Sequence, residues 1–276
     1  MNKSSKIFQA LSLPILCNMN PRSVYNKINE FHAFVEEESI DLLFMSESWE
    51  RDYLTLNEII KLEDHVVISN VSQRSGKGGR PALIANSKKF DVQDVTNTRI
   101  QIPWGVEAVW CILTPKDVTN DSKIQKISCC SLYSKLLDHI SEAFNILSKK
   151  YAKGLHFVIA GDTNDLKLDP ILSLSPNLKQ IVQDWTRMDP PAMLDPILTT
   201  LSNFYQIPEC LDPLDPDPDK NGGKSDHKIV IANPINVINK KSGRKIRKVK
   251  VRPLPQSGME KMKEWFIDQT WDQVSQ

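Results

Sequence analysis

The chain has 276 residues, of which 40% are hydrophobic and 25% are charged, and its formal net charge is +1. This composition is typical of a globular protein with a sizeable core, and it excludes wholesale disorder, collagen and coiled coil. No apolar run approaches the roughly 18 residues of a membrane-spanning helix, so no membrane partner is expected, and no signal peptide is recognisable. Five cysteines without a CxxC pair indicate free thiols in an intracellular, reducing compartment.

The near-neutral charge is a cancellation between an acidic body and a basic tail. Residues 1–239 contain 25 Lys+Arg and 30 Asp+Glu, whereas residues 240–276 contain 10 Lys+Arg and 4 Asp+Glu. This division predicts one domain over 1–239, followed by a basic linker and a short helical segment over 240–276. The basic cluster Lys240 to Arg252 has three interpretations: a nuclear localisation signal, a nucleic-acid arm or a solvated linker.

Strand-like and helix-like periodicities alternate along the body of the chain. The first predicted strand is LPILCNM, and helical spacing over 21–39 follows it, with Pro21 suited to the first turn. Further strands are predicted at DLLFMSE, HVVISN, PALIAN, FDVQDVT, VEAVWCIL and KIQKISCCSLY. A second helix is predicted at LLDHISEAFNILSKKY, and then strands at LHFVIAGD, MLDPILTT and HKIVIANP. Helix-linked strands mixed with consecutive strands predict an α/β protein with mixed β-sheets.

Polar residues stand where several predicted strands begin or end, and strand ends are where α/β proteins place ligands. In chain order they are Asn18, Asn20, Glu47, Asp162, Asn164, Asp195, Asp226 and His227. Each type has an ordinary structural alternative, since an asparagine at a strand–helix junction commonly caps the helix and GDTN can form an Asx turn. Glu47 is the least ordinary, because a carboxylate beside the apolar run DLLFM is costly to bury unless it is paired or metal-bound.

Considered together, these residue types suit the chemistry of phosphate esters. Carboxylate oxygens favour a hard cation such as Mg²⁺, with Mn²⁺ as an alternative. An aspartate near a water molecule can act as a general base, and a histidine held by a second carboxylate can hydrogen-bond a phosphoryl oxygen. Tyr133, at the end of SCCSLY, can add a phenolic donor or can be a tyrosine at the edge of the core.

The order of these motifs resembles the endonuclease/exonuclease/phosphatase superfamily, the group of the apurinic/apyrimidinic endonucleases, DNase I-like nucleases and inositol-phosphate phosphatases. The matching pieces are CNMNPRSVYNK, DLLFMSESW, GGRPALI, SLYS, AGDTND, MLDPILT and KSDH, which span about 18–234. The N-x-R-S-x-x-x-K pattern from Asn20 to Lys27 and the S/T-E-S/T-W pattern from Ser46 to Trp49 most resemble the endonuclease domain of non-LTR retrotransposons.

The resemblance implies a four-layer α/β sandwich, DNase I-like, in which two mixed sheets are flanked by helices. It implies a Mg²⁺-dependent DNA endonuclease that nicks target DNA, with a reverse transcriptase domain as a partner absent from this chain. The implied roles are metal binding by Glu47 with Asp226 and the first-strand asparagine, water activation by Asp162, phosphate contacts by Asn164 and Tyr133, and orientation of His227 by Asp195.

The chain departs from the resembled pattern in three places. The first-strand asparagine can be Asn18 or Asn20, GGRP replaces a run of three glycines, and the loop after Tyr133 is shortened. That loop helps to shape the DNA-facing rim in the resembled proteins. Two alternatives therefore stay open beside the nuclease: the same fold acting as a phosphatase or another phosphodiesterase, and a decayed copy without catalysis.

Overall fold

This computed structural model describes residues 13–49, 55–69, 79–103, 106–117, 124–133, 137–151, 154–164, 166–215 and 223–235. The predicted domain boundary at residue 239, the basic tail over 240–276 and most of the glycine-rich turn after HVVISN lie outside these residues.

Six strands form the first sheet, with β1 and β2 paired in parallel and all other neighbours antiparallel. In spatial order they are β13 (Glu209–Leu211), β14 (Ile229–Ala232), β1 (Leu16–Met19), β2 (Leu42–Met45), β4 (Ala82–Asn86) and β3 (His65–Ser69). Because β1 and β2 run in the same direction, their carboxyl ends meet at one edge of the sheet. Asn20 and Glu47 follow these two ends.

Six strands also form the second sheet, with β7 and β8 paired in parallel and the other neighbours antiparallel. In spatial order they are β5 (Phe90–Asp94), β6 (Ala108–Pro115), β7 (Lys126–Leu132), β8 (Leu155–Gly161), β12 (Ile197–Thr199) and β9 (Lys179–Gln180). A separate two-stranded hairpin consists of β10 (Arg187–Met188) and β11 (Pro191–Ala192).

Helices cover the outer face of each sheet. Phe31 of α1 (Ile28–Glu37) and Ile60 of α2 (Leu56–Ile60) belong to the buried cluster on the outside of the first sheet. Phe144 of α3 (Leu137–Lys150) and Ile171 of α4 (Asp169–Leu172) belong to the cluster outside the second sheet, where Phe144 stacks on Phe157 at 4.0 Å between ring centroids. None of the described helices is long and apolar enough to cross a bilayer.

A third cluster fills the space between the two sheets. It contains Phe44 of β2 together with Val109 of β6 and Val158 of β8. Successive residues of a strand point to opposite faces, so Leu16 belongs to this inner cluster and Cys17 to the helix side. Three apolar clusters therefore lie between four layers, which follow one another as helices, first sheet, second sheet and helices. This confirms the predicted four-layer α/β sandwich.

The first helix begins later than predicted. Residues 21–27 form turns, α1 starts at Ile28, and Arg22 and Ser23 have φ values of +47° and +78°. The backbone N–H of Ser23 donates to the carbonyl of Glu47 at 2.9 Å, so this stretch is hydrogen-bonded to the segment after β2 instead of to its own next turn. The assignment of Pro21 to the first helical turn was wrong for this reason. The short strands β9, β10, β11 and β13 were not predicted, because two or three residues show no periodicity.

Candidate active site

Four strand ends converge at one edge of the sandwich. The side-chain amide of Asn18 on β1 donates to the carbonyl of Gly161 at the end of β8, at 3.2 Å. The hydroxyl of Ser131 near the end of β7 donates to the carbonyl of Met45 at the end of β2, at 3.0 Å. These cross-sheet bonds bring the residues that follow β1, β2 and β8 to the same place.

Asn20 joins the two sheets at this edge. Its Nδ2 lies 2.9 Å from Oδ2 of Asp162 and 3.3 Å from Oε1 of Glu47, so one amide donates to both carboxylates. Its Oδ1 accepts the backbone N–H of Arg22 at 3.0 Å. Because Asn20 is 3% exposed, this geometry is set by the fold rather than by solvent.

Glu47 is half-buried and surrounded by neutral donors. The indole Nε1 of Trp49 donates to its Oε2 at 3.0 Å, beside the Asn20 amide on Oε1. The hydroxyl of Tyr133 also hydrogen-bonds this carboxylate, and burial followed by the charge of Glu47 holds the pKa of Tyr133 well above its usual value. Among the described residues, no lysine or arginine forms an ion pair with Glu47.

Asp162 follows β8 and is 1% exposed. Its backbone N–H donates to Ser46 Oγ at 2.7 Å, and its Oδ1 accepts the backbone N–H of Asn164 at 2.9 Å. Burial, followed by the nearby charge of Asp195, raises the pKa of Asp162 to about 6. The carboxylate therefore titrates close to neutrality, which suits a general base.

His227 pairs with Asp195 in the interior. Nδ1 of His227 lies 2.8 Å from Oδ2 of Asp195, and its Nε2 lies 3.8 Å from Oδ2 of Asp162. Burial lowers the pKa of His227, but the hydrogen bond and the charge of Asp195, with those of Asp162 and Asp226, outweigh burial and raise it to about 9. The imidazole is therefore protonated at neutral pH and presents an N–H on each nitrogen.

Glycine is required directly before Asp162. Gly161 has φ of +142°, a region that side chains rarely adopt. A Cβ atom there would lie 1.9 Å from the carbonyl oxygen of Leu132 on the neighbouring strand. The GD pair in AGDTND thus reflects close approach of β7 and β8 at the point where Asp162 leaves the sheet.

Not every predicted site residue joins this hydrogen-bonded group. Asn18 is fully buried between the sheets, and its amide donates to the carbonyls of Gly161 and Pro196, at 3.2 Å each. Asn20 is thus the asparagine that contacts Glu47 and Asp162. Asp226 is exposed, and it affects the site through its charge, which contributes to the raised pKa of His227.

Two supporting residues were missed by the sequence analysis. Thr186 Oγ1 accepts the backbone N–H groups of Leu194 and Asp195 at 2.9 and 3.1 Å, which fixes the start of the Asp195 segment. Ser225 Oγ donates to the carbonyl of Asn20 at 2.6 Å and accepts the N–H of His227 at 3.2 Å. The SDH motif contained a signal for Ser225, whereas Thr186 lies in an irregular segment without periodicity.

Oxygen atoms at this edge of the sandwich suit a divalent cation. Glu47 supplies carboxylate oxygens whose described side-chain partners are neutral donors, which fits Mg²⁺ or Mn²⁺. Asn20 turns Nδ2 toward Glu47 and Oδ1 toward the N–H of Arg22, so it orients this carboxylate. Asp162, Asp195 and His227 also place ligand atoms within 4.8 Å of one another. With Nδ1 of His227 bonded to Asp195, Nε2 is the imidazole nitrogen that this group could offer to a metal.

Solved structures of other proteins have the same arrangement of sheets and helices. No protein-family model and no curated protein matches the sequence. Among solved structures, the endonuclease domain of TRAS1, a telomere-specific non-LTR retrotransposon, matches 80% of this chain and 97% of its own, at 12% identity and TM-score 0.54.

Two further solved structures show the same likeness. The 3′ phosphatase NExo from Neisseria, bound to a product DNA hairpin, matches 80% of this chain and 99% of its own at 12% identity and TM-score 0.54. The mannosyl-6-phosphatase of Bacteroides thetaiotaomicron matches 81% and 100% at 14% identity and TM-score 0.53. The two mixed sheets and their flanking helices therefore have the fold of these solved nuclease and phosphatase structures, which is the DNase I-like sandwich that the motif order predicted.

Proposed function

We propose that the protein is a Mg²⁺-dependent endonuclease that hydrolyses phosphodiester bonds in DNA. The observation that carries this proposal is the convergence of polar groups at one edge of the sandwich. Hydrogen bonds join Trp49 to Glu47, Glu47 to Asn20 and Asn20 to Asp162. The His227–Asp195 pair lies next to them, with Nε2 of His227 3.8 Å from Oδ2 of Asp162. This convergence combines a carboxylate open to a cation, a buried carboxylate with a pKa of about 6 and a protonated imidazole within one polar edge of the sandwich.

Each residue has a role that follows from its surroundings. Asp162 accepts the proton of the attacking water, since it is deprotonated above about pH 6 and buried beside a strong donor. His227 directs the Nε2 N–H, held in place by Asp195 on Nδ1, toward a phosphoryl oxygen. On substrate binding, the Tyr133 hydroxyl would turn from Glu47 to one of the other phosphate oxygens, and Asn164 would contact another. Mg²⁺ held by Glu47, with support from Asp226 and from Asn20, whose Nδ2 orients the Glu47 carboxylate, would neutralise charge that develops on the scissile phosphate.

DNA as substrate is supported by both the motifs and the comparisons. NExo was solved with a product DNA hairpin, and TRAS1 is a retrotransposon whose endonuclease domain has the same fold. The N-x-R-S-x-x-x-K and S-E-S-W motifs favour a nicking enzyme of the retrotransposon type. In that setting a reverse transcriptase domain would extend the 3′ hydroxyl that the nick leaves.

A plasmid assay tests the proposal. The purified chain is incubated with supercoiled plasmid and Mg²⁺, and open circles are expected to accumulate and to be abolished by EDTA. Glu47→Gln and Asp162→Asn should each lose nicking. Asp91→Asn is the matched control, because its side chain is 72% exposed on a strand at the edge of the second sheet. Nicking that is retained in Asp162→Asn would overturn the proposal.

A phosphatase is the second candidate. The compared structures include a 3′ phosphatase and a mannosyl-6-phosphatase, so the same fold also hosts phosphomonoester chemistry. Release of phosphate from 3′-phosphorylated oligonucleotides or from sugar phosphates, without plasmid nicking, would favour this candidate. A folded protein with neither activity would favour the decayed copy.

We further propose that the protein acts inside the cell, in the nucleus, where a DNA-nicking enzyme meets its substrate. The support is the basic cluster Lys240 to Arg252, which contains eight Lys or Arg and no acidic residue. Fusion of 240–252 to a fluorescent protein tests the signal: nuclear accumulation is expected, and a cytoplasmic distribution would contradict it.

A further inference from the structure

Trp49 has an unusual backbone conformation next to the proposed metal ligand. Its φ is +53°, in the left-handed region that bulky residues rarely occupy. The preceding residues are fixed by the surrounding structure: the carbonyl of Glu47 accepts the N–H of Ser23 at 2.9 Å, and Ser48 Oγ donates to the carbonyl of Arg80 at 2.7 Å. With residues 47 and 48 held in this way, the turn at Trp49 brings its indole back to the Glu47 carboxylate. Strain of this kind persists where the surrounding structure determines it.

The two oxygens of Glu47 are held by different donors on opposite sides. Asn20 donates to Oε1 at 3.3 Å, and the indole N–H of Trp49 donates to Oε2 at 3.0 Å. The Tyr133 hydroxyl also hydrogen-bonds the carboxylate, so Trp49 is one of three donors that together fix its rotation, and it is the donor that holds Oε2 at 3.0 Å. The orientation of Glu47 therefore depends on an indole that is contributed from only two residues further along the chain.

An indole suits this position for a chemical reason. It is a donor only, it carries no charge and it does not bind divalent cations. A lysine or arginine at the same place would neutralise the carboxylate and repel a cation. Trp49 can thus orient Glu47 without reducing its attraction for a metal.

We propose that Trp49 is a positioning residue, whose indole N–H holds the Glu47 carboxylate in the orientation that binds the divalent cation. The inference rests on the proposed function, because it concerns the same metal site. Partners that orient a metal ligand commonly change metal affinity by about 10- to 100-fold when they are removed. The essential feature is the N–H group, and the aromatic ring alone is not sufficient.

The test is a direct measurement of Mn²⁺ affinity by electron paramagnetic resonance, with no DNA present. Wild type, Trp49→Phe, Glu47→Gln and Trp110→Phe are compared. Trp110→Phe is the matched control, because it also removes an indole N–H that donates to a side chain, at 3.1 Å from His139 Nε2, but in the cluster outside the second sheet. Circular dichroism and urea unfolding confirm that each variant is folded before titration.

Trp49→Phe is expected to bind Mn²⁺ about 10-fold more weakly, whereas Trp110→Phe should lose stability and keep its Mn²⁺ affinity. In the plasmid assay, Trp49→Phe should need more Mg²⁺ for half-maximal nicking and approach the wild-type rate at saturating Mg²⁺. If Trp49→Phe does not fold, replacement of Trp49 by benzothienylalanine, which keeps the ring and lacks the N–H, gives the same comparison.

The possible failures are distinguishable. Unchanged Mn²⁺ affinity in the folded variant without the N–H overturns the role of Trp49. Wild type that binds Mn²⁺ through Glu47 but does not nick DNA overturns the proposed activity and leaves this inference standing. Wild type that does not bind Mn²⁺ overturns both.

Discussion

Asn20 and Asp162 come from different sheets, yet Nδ2 of one lies 2.9 Å from Oδ2 of the other in the interior of the protein. The same amide also reaches Glu47 at 3.3 Å. Two carboxylates that would repel each other are therefore linked by a shared neutral donor. This contact joins the proposed metal-binding half of the site to the half that contains Asp162, Asp195 and His227.

Asn20→Ala is expected mainly to lose nicking activity, whereas Asn18→Ala is expected mainly to lose stability. Loss of the Asn20 amide releases both carboxylates, so plasmid nicking should fall about 10- to 100-fold. The fold should be affected less, because Asp162 keeps the N–H of Asn164 and Glu47 keeps the indole of Trp49.

Asn18→Ala should mainly reduce stability. Its amide satisfies two buried carbonyls, and removal is expected to lower the free energy of unfolding by about 1–3 kcal/mol. Urea unfolding and initial nicking rates distinguish the two variants. A larger loss of activity in Asn18→Ala than in Asn20→Ala, at equal folded fraction, would reverse the assignment.

The pH profile of nicking should be bell-shaped. Asp162 must lose its proton, and its pKa is raised to about 6, so activity rises through that range. His227 must keep its proton, and its pKa is about 9, so activity falls above it. Initial rates of nicking between pH 5 and pH 10 define the two limbs of the profile. The apparent pKa values of these limbs belong to the interacting pair of Asp162 and His227 together. A profile that is flat across neutrality down to acid pH would contradict the role of Asp162.

Asp195→Asn should move both limbs of this profile to lower pH. The Asp195 carboxylate raises the pKa of His227 through its hydrogen bond and charge, and its charge also raises the pKa of Asp162. Without that charge, His227 loses its proton at lower pH and Asp162 also ionises at lower pH. Asp91→Asn removes an exposed carboxylate and should leave the profile unchanged. Movement of the alkaline limb to higher pH would contradict the pairing.

His139 should make the fold sensitive to acid. It is buried, and burial holds its pKa below the usual value while the indole of Trp110 donates to its Nε2 at 3.1 Å. The unfolded chain therefore binds a proton more readily than the folded one. This stability is present above the unfolded-state pKa of about 6.5 and is lost as pH falls through the lower folded-state pKa.

Urea unfolding of wild type and His139→Gln at pH 7.5 and pH 5.0 tests this. Other groups titrate over the same range in both proteins, so the informative quantity is the difference between their pH dependences. Wild type should lose more stability on acidification than His139→Gln. Equal losses would show that His139 does not contribute.

Gly161→Ala should destabilise the protein strongly. Its φ of +142° is unfavourable for alanine, which costs about 1–3 kcal/mol, and the overlap of Cβ with Leu132 O at 1.9 Å adds to this. Gly223→Ala is the matched control, because nothing lies within 4 Å of a Cβ placed there. Thermal unfolding of the two variants provides the comparison. Similar melting temperatures for Gly161→Ala and Gly223→Ala would contradict this prediction, because they would show that β7 and β8 can move apart without loss of stability.

The strands and their burial could be predicted from the sequence because their side chains are apolar over short runs bounded by turn residues. DLLFM and HFVIAG have this property, and they form β2 and β8 at nearly the predicted positions. The order of the motifs also identified the sandwich. The start of α1 could not be predicted, because Ser23 and Val24 bond to the carbonyls of residues 47 and 48, which local periodicity does not reveal.

What the sequence by itself determined is the set of chemical groups and their places at strand ends. Only the tertiary structure shows which of Asn18 and Asn20 contacts Glu47 and Asp162, because residues two apart share one face of a strand and their periodicity is identical. The end of β1 at Met19 leaves Asn18 between the sheets and places Asn20 at the edge. Thr186 and the indole of Trp49 are likewise visible only in the folded chain, since each acts through a hydrogen bond that depends on the backbone path and not on the residue type alone.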